Sequence, residues 1–266
     1  MNKRRRGIFV TGTDTDVGKT QVASGLAAAL RLTASRHWPE IRLWKPVQSG
    51  VRMGSPDADS SRLLFGGGSG YGQKEEDIAS VTLPEPLAPW MAARRAGKEI
   101  DFERLAREGS DRLEDGCFWI VEGAGGLAVP LTERHLVADL AAALGLPLLI
   151  VARPGLGTVN HTLLTVDYAR RQGLAMAGVI LNGCRAGEER GITENAMMIE
   201  TFSQVPVIGM LPWLEPSDSE APRAAERYER GGVSETGKSP AWQRWVTCIT
   251  ERVDMNAIIN GWENER

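Results

Sequence analysis

Residues 7–20 read GIFVTGTDTDVGKT. The run GIFVT has the short apolar character of a buried strand. KTQVASGLAAALRLTA, from Lys19 onward, places apolar residues at 22, 23, 26, 27, 29 and 30, which is helical spacing. A glycine turn between a strand and a helix leaves backbone N–H groups facing outward, and the helix dipole adds partial positive charge. The stretch therefore reads as an anion-binding loop, with Lys19 reaching terminal phosphates and the Thr20 hydroxyl on Mg²⁺. The common phosphate-loop pattern has four residues between its glycines; here five, Thr13, Asp14, Thr15, Asp16 and Val17, separate Gly12 from Gly18. Thr13 and Thr15 offer hydroxyls to oxygen atoms. Asp14 and Asp16 are costly beside phosphate unless Mg²⁺ or a cationic co-substrate offsets them. The loop is read as holding a phosphate chain and a second, amine-bearing reactant.

Working outward, apolar runs alternate with helical patterns. Further strands are expected at IRLWKP (41–46), CFWIVEG (117–123), PLLIVAR (147–153), AMAGVILNG (175–183) and PVIGMLPWL (206–214). Helices are expected at FERLAREGSDRLE (102–114), LVADLAAAL (136–144), NHTLLTVDYARRQG (160–173) and ENAMMIETFSQ (194–204). This order predicts an α/β fold, a mostly parallel doubly wound sheet with right-handed crossovers. Ligands in such sheets bind beyond the carboxyl ends of the strands, so the polar clusters that follow the strands should meet on one rim. Residues 66–77 read as a flexible loop and 216–240 as a linker. The stretch 241–262 reads as an amphipathic helix docked on the core.

Several clusters follow the expected strands. KPVQSG (45–50) puts Lys45 at a strand end, followed by a polar binding turn containing Ser49. SPDADSSRLL (55–64) offers Asp57 and Asp59 at a helix start. One suffices as an N-cap; Asp59 is preferred as a metal ligand because Leu63 can anchor its turn, with Asp57 as the alternate. FWIVEGAGGLAVPL (118–131) ends a strand on Glu122, an acidic strand end of the kind that serves Mg²⁺. Gly123, Ala124, Gly125 and Gly126 then let backbone approach a ligand. RPGLGTVNHTLLT (153–165) sets Gly155, Leu156, Gly157 and Thr158 before a helix whose first N–H groups could hold a carboxylate, while Asn160 serves equally as a cap. Asn182, with Gly183, carries a donor and an acceptor suited to an adenine edge. Pro212 and Trp213 could wall a flat ring, although a turn and a core aromatic explain them too.

Composition bounds the remainder. A formal charge of −3 on 266 residues argues against a broad nucleic-acid or membrane footprint. The most apolar window, LVADLAAALGLPLLIVA, is broken by Asp139, Gly145 and Pro147 and is read as helix, turn and strand. Cys117, Cys184 and Cys248 show no metal or disulfide spacing, which fits a reducing cytoplasm.

Taken in order, GTDTDVGKT, KPVQSG, VEGAGG, GLGTVNHTLLT and LNG resemble the dethiobiotin synthetase family, from about residue 7 to 214. The resemblance implies a P-loop NTPase-like domain over 1–215, with residues 216–266 as a linker and C-terminal extension. It implies a ligase that joins CO₂ or bicarbonate to 7,8-diaminononanoate with ATP and Mg²⁺. The steps would be a carbamate, a carbamic-phosphoric mixed anhydride and closure of a cyclic urea. Lys19, Lys45 and Thr15 would be catalytic, and Thr20, Asp59 and Glu122 would hold Mg²⁺. The nucleotide would lie along residues 13–20, with Glu122 to Gly125 beside it and Asn182, Gly183, Leu211, Pro212 and Trp213 on the adenine side. The diamine would meet Thr15, Lys45, Ser49 and Gly126. Its carboxylate would meet Leu156, Gly157, Thr158 and Asn160 of a neighbouring subunit, which implies a homodimer with shared sites. Two rivals remain: a partitioning-type ATPase without a diamine, and an amide ligase that would need a glutamine-cleaving domain.

Overall fold

The computed structural model describes residues 5–33, 39–68, 72–213 and 240–260. Seven strands form one parallel sheet: β1 (Gly7–Gly12), β2 (Ile41–Ser49), β3 (Ala79–Leu83), β4 (Phe118–Glu122), β5 (Leu148–Ala152), β6 (Met176–Cys184) and β7 (Val207–Pro212). Their spatial order is β3-β2-β4-β1-β5-β6-β7, so the first strand lies centrally between β4 and β5. Every residue of β1 is buried. Ile8 and Val10 join the core on one face of the sheet and Phe9 the core on the other, as strand alternation requires.

The helices are α1 (Lys19–Thr33), α2 (Asp59–Leu63), α3 (Glu75–Ile78), α4 (Pro89–Arg95), α5 (Phe102–Leu113), α6 (Val137–Leu144), α7 (Thr158–Arg171), α8 (Glu189–Ser203), α9 (Pro240–Arg252) and α10 (Met255–Asn260). The alternating order predicted from sequence is present. Four local expectations are corrected. β2 does not end at Pro46 but continues to Ser49, because β3 pairs with it through Leu83. Pro46 is tolerated there because β4's recorded pairing with β2 ends at Trp44. The stretch 66–77 is not simply a loop: Leu64–Gly68 forms a π-helical turn and Glu75–Ile78 a short helix, while 69–71 lie outside the described residues. Strand β3 and helix α4 had been missed. The expected terminal helix is two helices, broken where Val253 bridges to Gly209 of β7.

The linker at 216–240 lies outside the described residues except for Pro240. Beyond it, α9 docks on the core as expected, and does so against α1. A Cβ on Gly25 would lie 2.3 Å from Ile249 Cδ1 and 2.6 Å from Trp245 Nε1, so only glycine lets the helices approach this closely. Trp245 is fully buried and its indole N–H donates to the Gln21 carbonyl at 3.2 Å. With the sheet on one side and α9 on the other, α1 is buried on nearly all faces from Val22 to Leu30, which explains its run of small residues.

Candidate active site

The carboxyl ends of the central strands open into a cavity of about 1420 Å³, lined by residues that follow β1, β2, β4, β5, β6 and β7. The clusters therefore share one rim. The loop after β1 is fixed at three points. Gly12 N–H donates to Gly125 O at 3.3 Å, Thr13 N–H to Val151 O at 3.0 Å, and the Asn182 amide to Val17 O at 2.9 Å. Gly18 has φ 86°, a left-handed conformation, and a Cβ there would lie 2.2 Å from Asn182 Nδ2. Asp16 also adopts positive φ, at 56°, which aspartate tolerates better than most side chains. Asp14 Oδ1 accepts from Thr15 N–H at 2.7 Å, and Lys19 Nζ donates to the Asp14 carbonyl at 3.1 Å.

Below the loop lies a compact charged cluster. Lys45 Nζ is 2.5 Å from Glu122 Oε1 and 2.6 Å from Asp59 Oδ2. Thr20 donates its hydroxyl to the same Glu122 oxygen at 2.8 Å. Lys45 and Glu122 are buried, 3% and 1% exposed, so Lys45 is part of the interior and not a free cation on the rim. Burial pulls the Lys45 ammonium down, but the Glu122 and Asp59 carboxylates outweigh it and leave Lys45 above the ordinary lysine value. Burial pushes Glu122 up, and Lys45 reverses this only in part, so Glu122 stays above the usual carboxylate range. Burial also pushes Asp59 up, yet Lys45 more than reverses it and holds Asp59 below that range. Burial holds Lys19 below the ordinary lysine value, with Glu122 opposing.

Glu122 Oε2 is buried and has no hydrogen-bond partner among the described residues. An unpartnered carboxylate oxygen, beside the oxygens of Thr20 and Asp59, fits a hard divalent cation such as Mg²⁺, which commonly takes one or two carboxylates plus substrate phosphates. A buried carboxyl raised by desolvation is also one that added positive charge would stabilise. Asp57 also lines the cavity but stands outside the cluster: its side chain is 83% exposed and lies 3.7 Å from Arg62. Neither aspartate caps α2. Its N-cap is Ala58, without a side-chain cap, and Ser60 N–H is taken by Gln48 Oε1 at 3.0 Å.

Of the residues singled out from sequence, Thr15, Asp16, Val17, Gly18, Lys19 and Thr20 line the cavity. So do Lys45, Ser49, Asp59, Glu122, Ala124, Gly125, Asn182, Gly183, Pro212 and Trp213. Thr13, Asp14, Gly123, Gly126 and Leu211 do not line it: Asp14 is exposed and Leu211 is fully buried in the core. Leu156, Gly157, Thr158 and Asn160 do not line this chain's own cavity, and Leu156 is fully exposed. Asn160 does not cap α7, whose N-cap is Gly157. Ser49 ends a strand, and its hydroxyl donates to Leu87 O at 2.7 Å. Asn182 spends an amide N–H on the loop, and its Oδ1 is buried with no hydrogen-bond partner among the described residues. The Trp213 ring lies against Gly183, with the Arg185 guanidinium 4.5 Å from its centroid.

Gln48, expected in the polar turn after Lys45, is also on the cavity wall; sequence reasoning missed Arg62, Phe65, Arg153, Arg185 and Trp242 there. Arg153 and Arg185 follow strands and could have been found by that rule. Trp242 could not, because its place depends on α9 folding back until its ring meets Phe65 at 5.9 Å.

A parallel sheet whose first strand feeds a Gly-Lys-Thr loop, with a buried acid ending the adjacent strand, defines a P-loop nucleotide-binding protein. The cell division ATPase MinD of Pyrococcus furiosus shares this fold, with a TM-score of 0.50 at 19% identity over 93% of this chain and 98% of that one. A family model described as an AAA domain matches residues 6–221. The ATP-dependent dethiobiotin synthetase BioD of Bacillus thuringiensis (strain Al Hakam) is 47% identical over 209 residues, 79% of this chain and 84% of that protein. That of Bacillus anthracis (strain A0248) matches with the same identity and coverage. The chain belongs to the ATP-dependent dethiobiotin synthetase family. Among the described residues, no helix is long and apolar enough to cross a membrane.

Proposed function

We propose the following chemistry for the ATP-dependent dethiobiotin synthesis that family membership gives this chain. One amine of 7,8-diaminononanoate adds to CO₂ and gives up a proton, leaving a carbamate. A carbamate oxygen attacks the terminal phosphorus of ATP and ADP departs, forming the carbamic-phosphoric anhydride. The second amine attacks the carbamate carbon, expels phosphate and closes the cyclic urea.

The observation that carries this reading is the placement of Lys45 between Glu122 and Asp59, beside the loop that bears Lys19 and Thr20. Fixed ammonium groups in a dry site stabilise charge developing on carbamate and phosphoryl oxygens without reorganising. Lys45 suits that role because its neighbours keep it charged. Thr20, Asp59 and Glu122 would hold Mg²⁺, which when bound would supply charge neutralisation at the phosphates. Thr15 and Ser49 would face the diamine. Asn182 would present Oδ1 to the adenine amino group, with Pro212 and Trp213 alongside. The exposed Leu156 and the loop around it support a homodimer in which residues 156–160 of one protomer hold the substrate carboxylate of the other. We place this chemistry in a domain spanning 1–215 and in the cytoplasm.

Mixing protein, ATP, Mg²⁺ and bicarbonate with and without the diamine, then measuring ADP, tests the proposal. ADP release that requires the diamine supports it. Equal release without it overturns it in favour of a MinD-like ATPase, a reading to which the shared fold alone lends weight.

A further inference from the structure

We propose that Gln48 is a positioning residue that sets Asp59 for metal-nucleotide binding. The inference rests on the proposed metal role of Asp59. A five-residue helix is too short to hold itself, and α2 lacks a local cap because Ala58 occupies its N-cap. Gln48 supplies the missing contact from the end of β2. Its Oε1 accepts from Ser60 N–H at 3.0 Å, and its Nε2 donates to Ser60 Oγ at 2.7 Å and to Thr82 Oγ1 at 2.9 Å. The Ser60 hydroxyl in turn donates to Glu75 Oε1 at 2.7 Å. Gln48 and Ser60 are both buried, so the two bonds between them are shielded from solvent.

Asp59 is the residue before Ser60. Its carboxylate enters the charged cluster only because the first turn of α2 is tied down beside β2, which also carries Lys45. Gln48 thus fixes from one strand both where α2 begins and where its acid points, without joining the Lys45–Glu122 cluster itself. An amide does this better than a carboxylic acid or an alkyl chain. It offers an acceptor to Ser60 N–H and a donor to the two hydroxyls, and it adds no charge beside Glu75.

The test measures ADP affinity by calorimetry, in excess Mg²⁺ and in EDTA, for the full chain and for Gln48→Met, Asp59→Asn and the double variant. The ratio of the two affinities is the metal-dependent gain. Gln48→Met is expected to cut that gain roughly tenfold, the scale of outer contacts to metal ligands, with the EDTA affinity unchanged. In the Asp59→Asn background the same substitution is expected to change nothing further. Gln48→Glu, which keeps an acceptor for Ser60 N–H but loses the donor to the two hydroxyls and adds a charge beside Glu75, is expected to keep only part of the gain and covers the case in which the methionine variant fails to fold. Equal loss with and without metal would mean that Gln48 merely supports the fold, and overturns the inference. So would a loss that persists without Asp59, or a glutamate variant that folds and keeps the full gain of the parent. If Asp59→Asn leaves the gain intact, the metal role of Asp59 itself has failed.

Discussion

The Thr20 hydroxyl donates to Glu122 Oε1 at 2.8 Å, although 102 positions separate them in the chain. This bond joins the loop after β1 to the acid that ends β4. It shows how pairing of two neighbouring strands brings together groups that no local stretch contains. Lys45 completes the arrangement from a third strand.

Lys45→Met removes the partner of a buried carboxylate. Removing one member of a buried pair costs about 3–5 kcal/mol, so the variant should lose stability as well as turnover. Adding Glu122→Gln should recover much of the stability and none of the turnover. Urea unfolding of the four proteins in the cycle checks this; a double variant no more stable than Lys45→Met would refute it.

Glu122→Gln and Asp59→Asn should each raise the Mg²⁺ concentration for half-maximal rate by roughly tenfold or more. Asp57→Asn should leave it unchanged, because Asp57 faces solvent and Arg62. A magnesium titration of the steady-state rate separates the two aspartates.

Asp16→Asn should weaken the diamine more than ATP, since Asp16 lines the cavity and can face a cationic amine. Asp14→Asn should affect both equally through the loop, because Asp14 caps Thr15 N–H. KM values for the two substrates decide the matter.

Acid should act through Asp59. Its folded pKa lies below the unfolded one, so its contribution is fully present above the unfolded value, about 3.9, and is lost as pH falls through the folded value. Glu122 has the opposite sign: raised in the fold, it makes no demand for ionisation as pH falls. The stability difference between the parent protein and Asp59→Asn should be flat from pH 5 to 7 and shrink below about pH 4. Guanidinium melts at each pH measure it.

Trp245→Ala should destabilise the protein by about 3–5 kcal/mol, the usual loss for a buried large aromatic. It should also loosen α1 at Gln21, whose carbonyl accepts from the Trp245 indole. Hydrogen exchange along α1, faster than in the parent, would report that.

The α/β order and the convergence of clusters on one rim were legible in the sequence because apolar periodicity and strand-end glycines are local signals. β3 was not: ASVTL is short and only partly buried at its centre, so it lacks an apolar signature. Asp59 and Asp57 could not be separated without knowing that Gln48 reaches Ser60 from another strand. Nor could α9 be placed against α1, since the fit depends on Gly25 meeting Ile249 and Trp245 from far along the chain.

β1 lies between β4 and β5, with Gly7 opposite Trp119 and Phe9 opposite Leu148. During synthesis, β1 therefore waits for both neighbours, which lie later in the chain. Until Leu148 and its successors emerge, GIFVTG has at least one naked edge and two sticky faces. Newborn chains of this protein therefore pass through a long stretch in which a strand destined for the interior lacks the neighbours that will cover it.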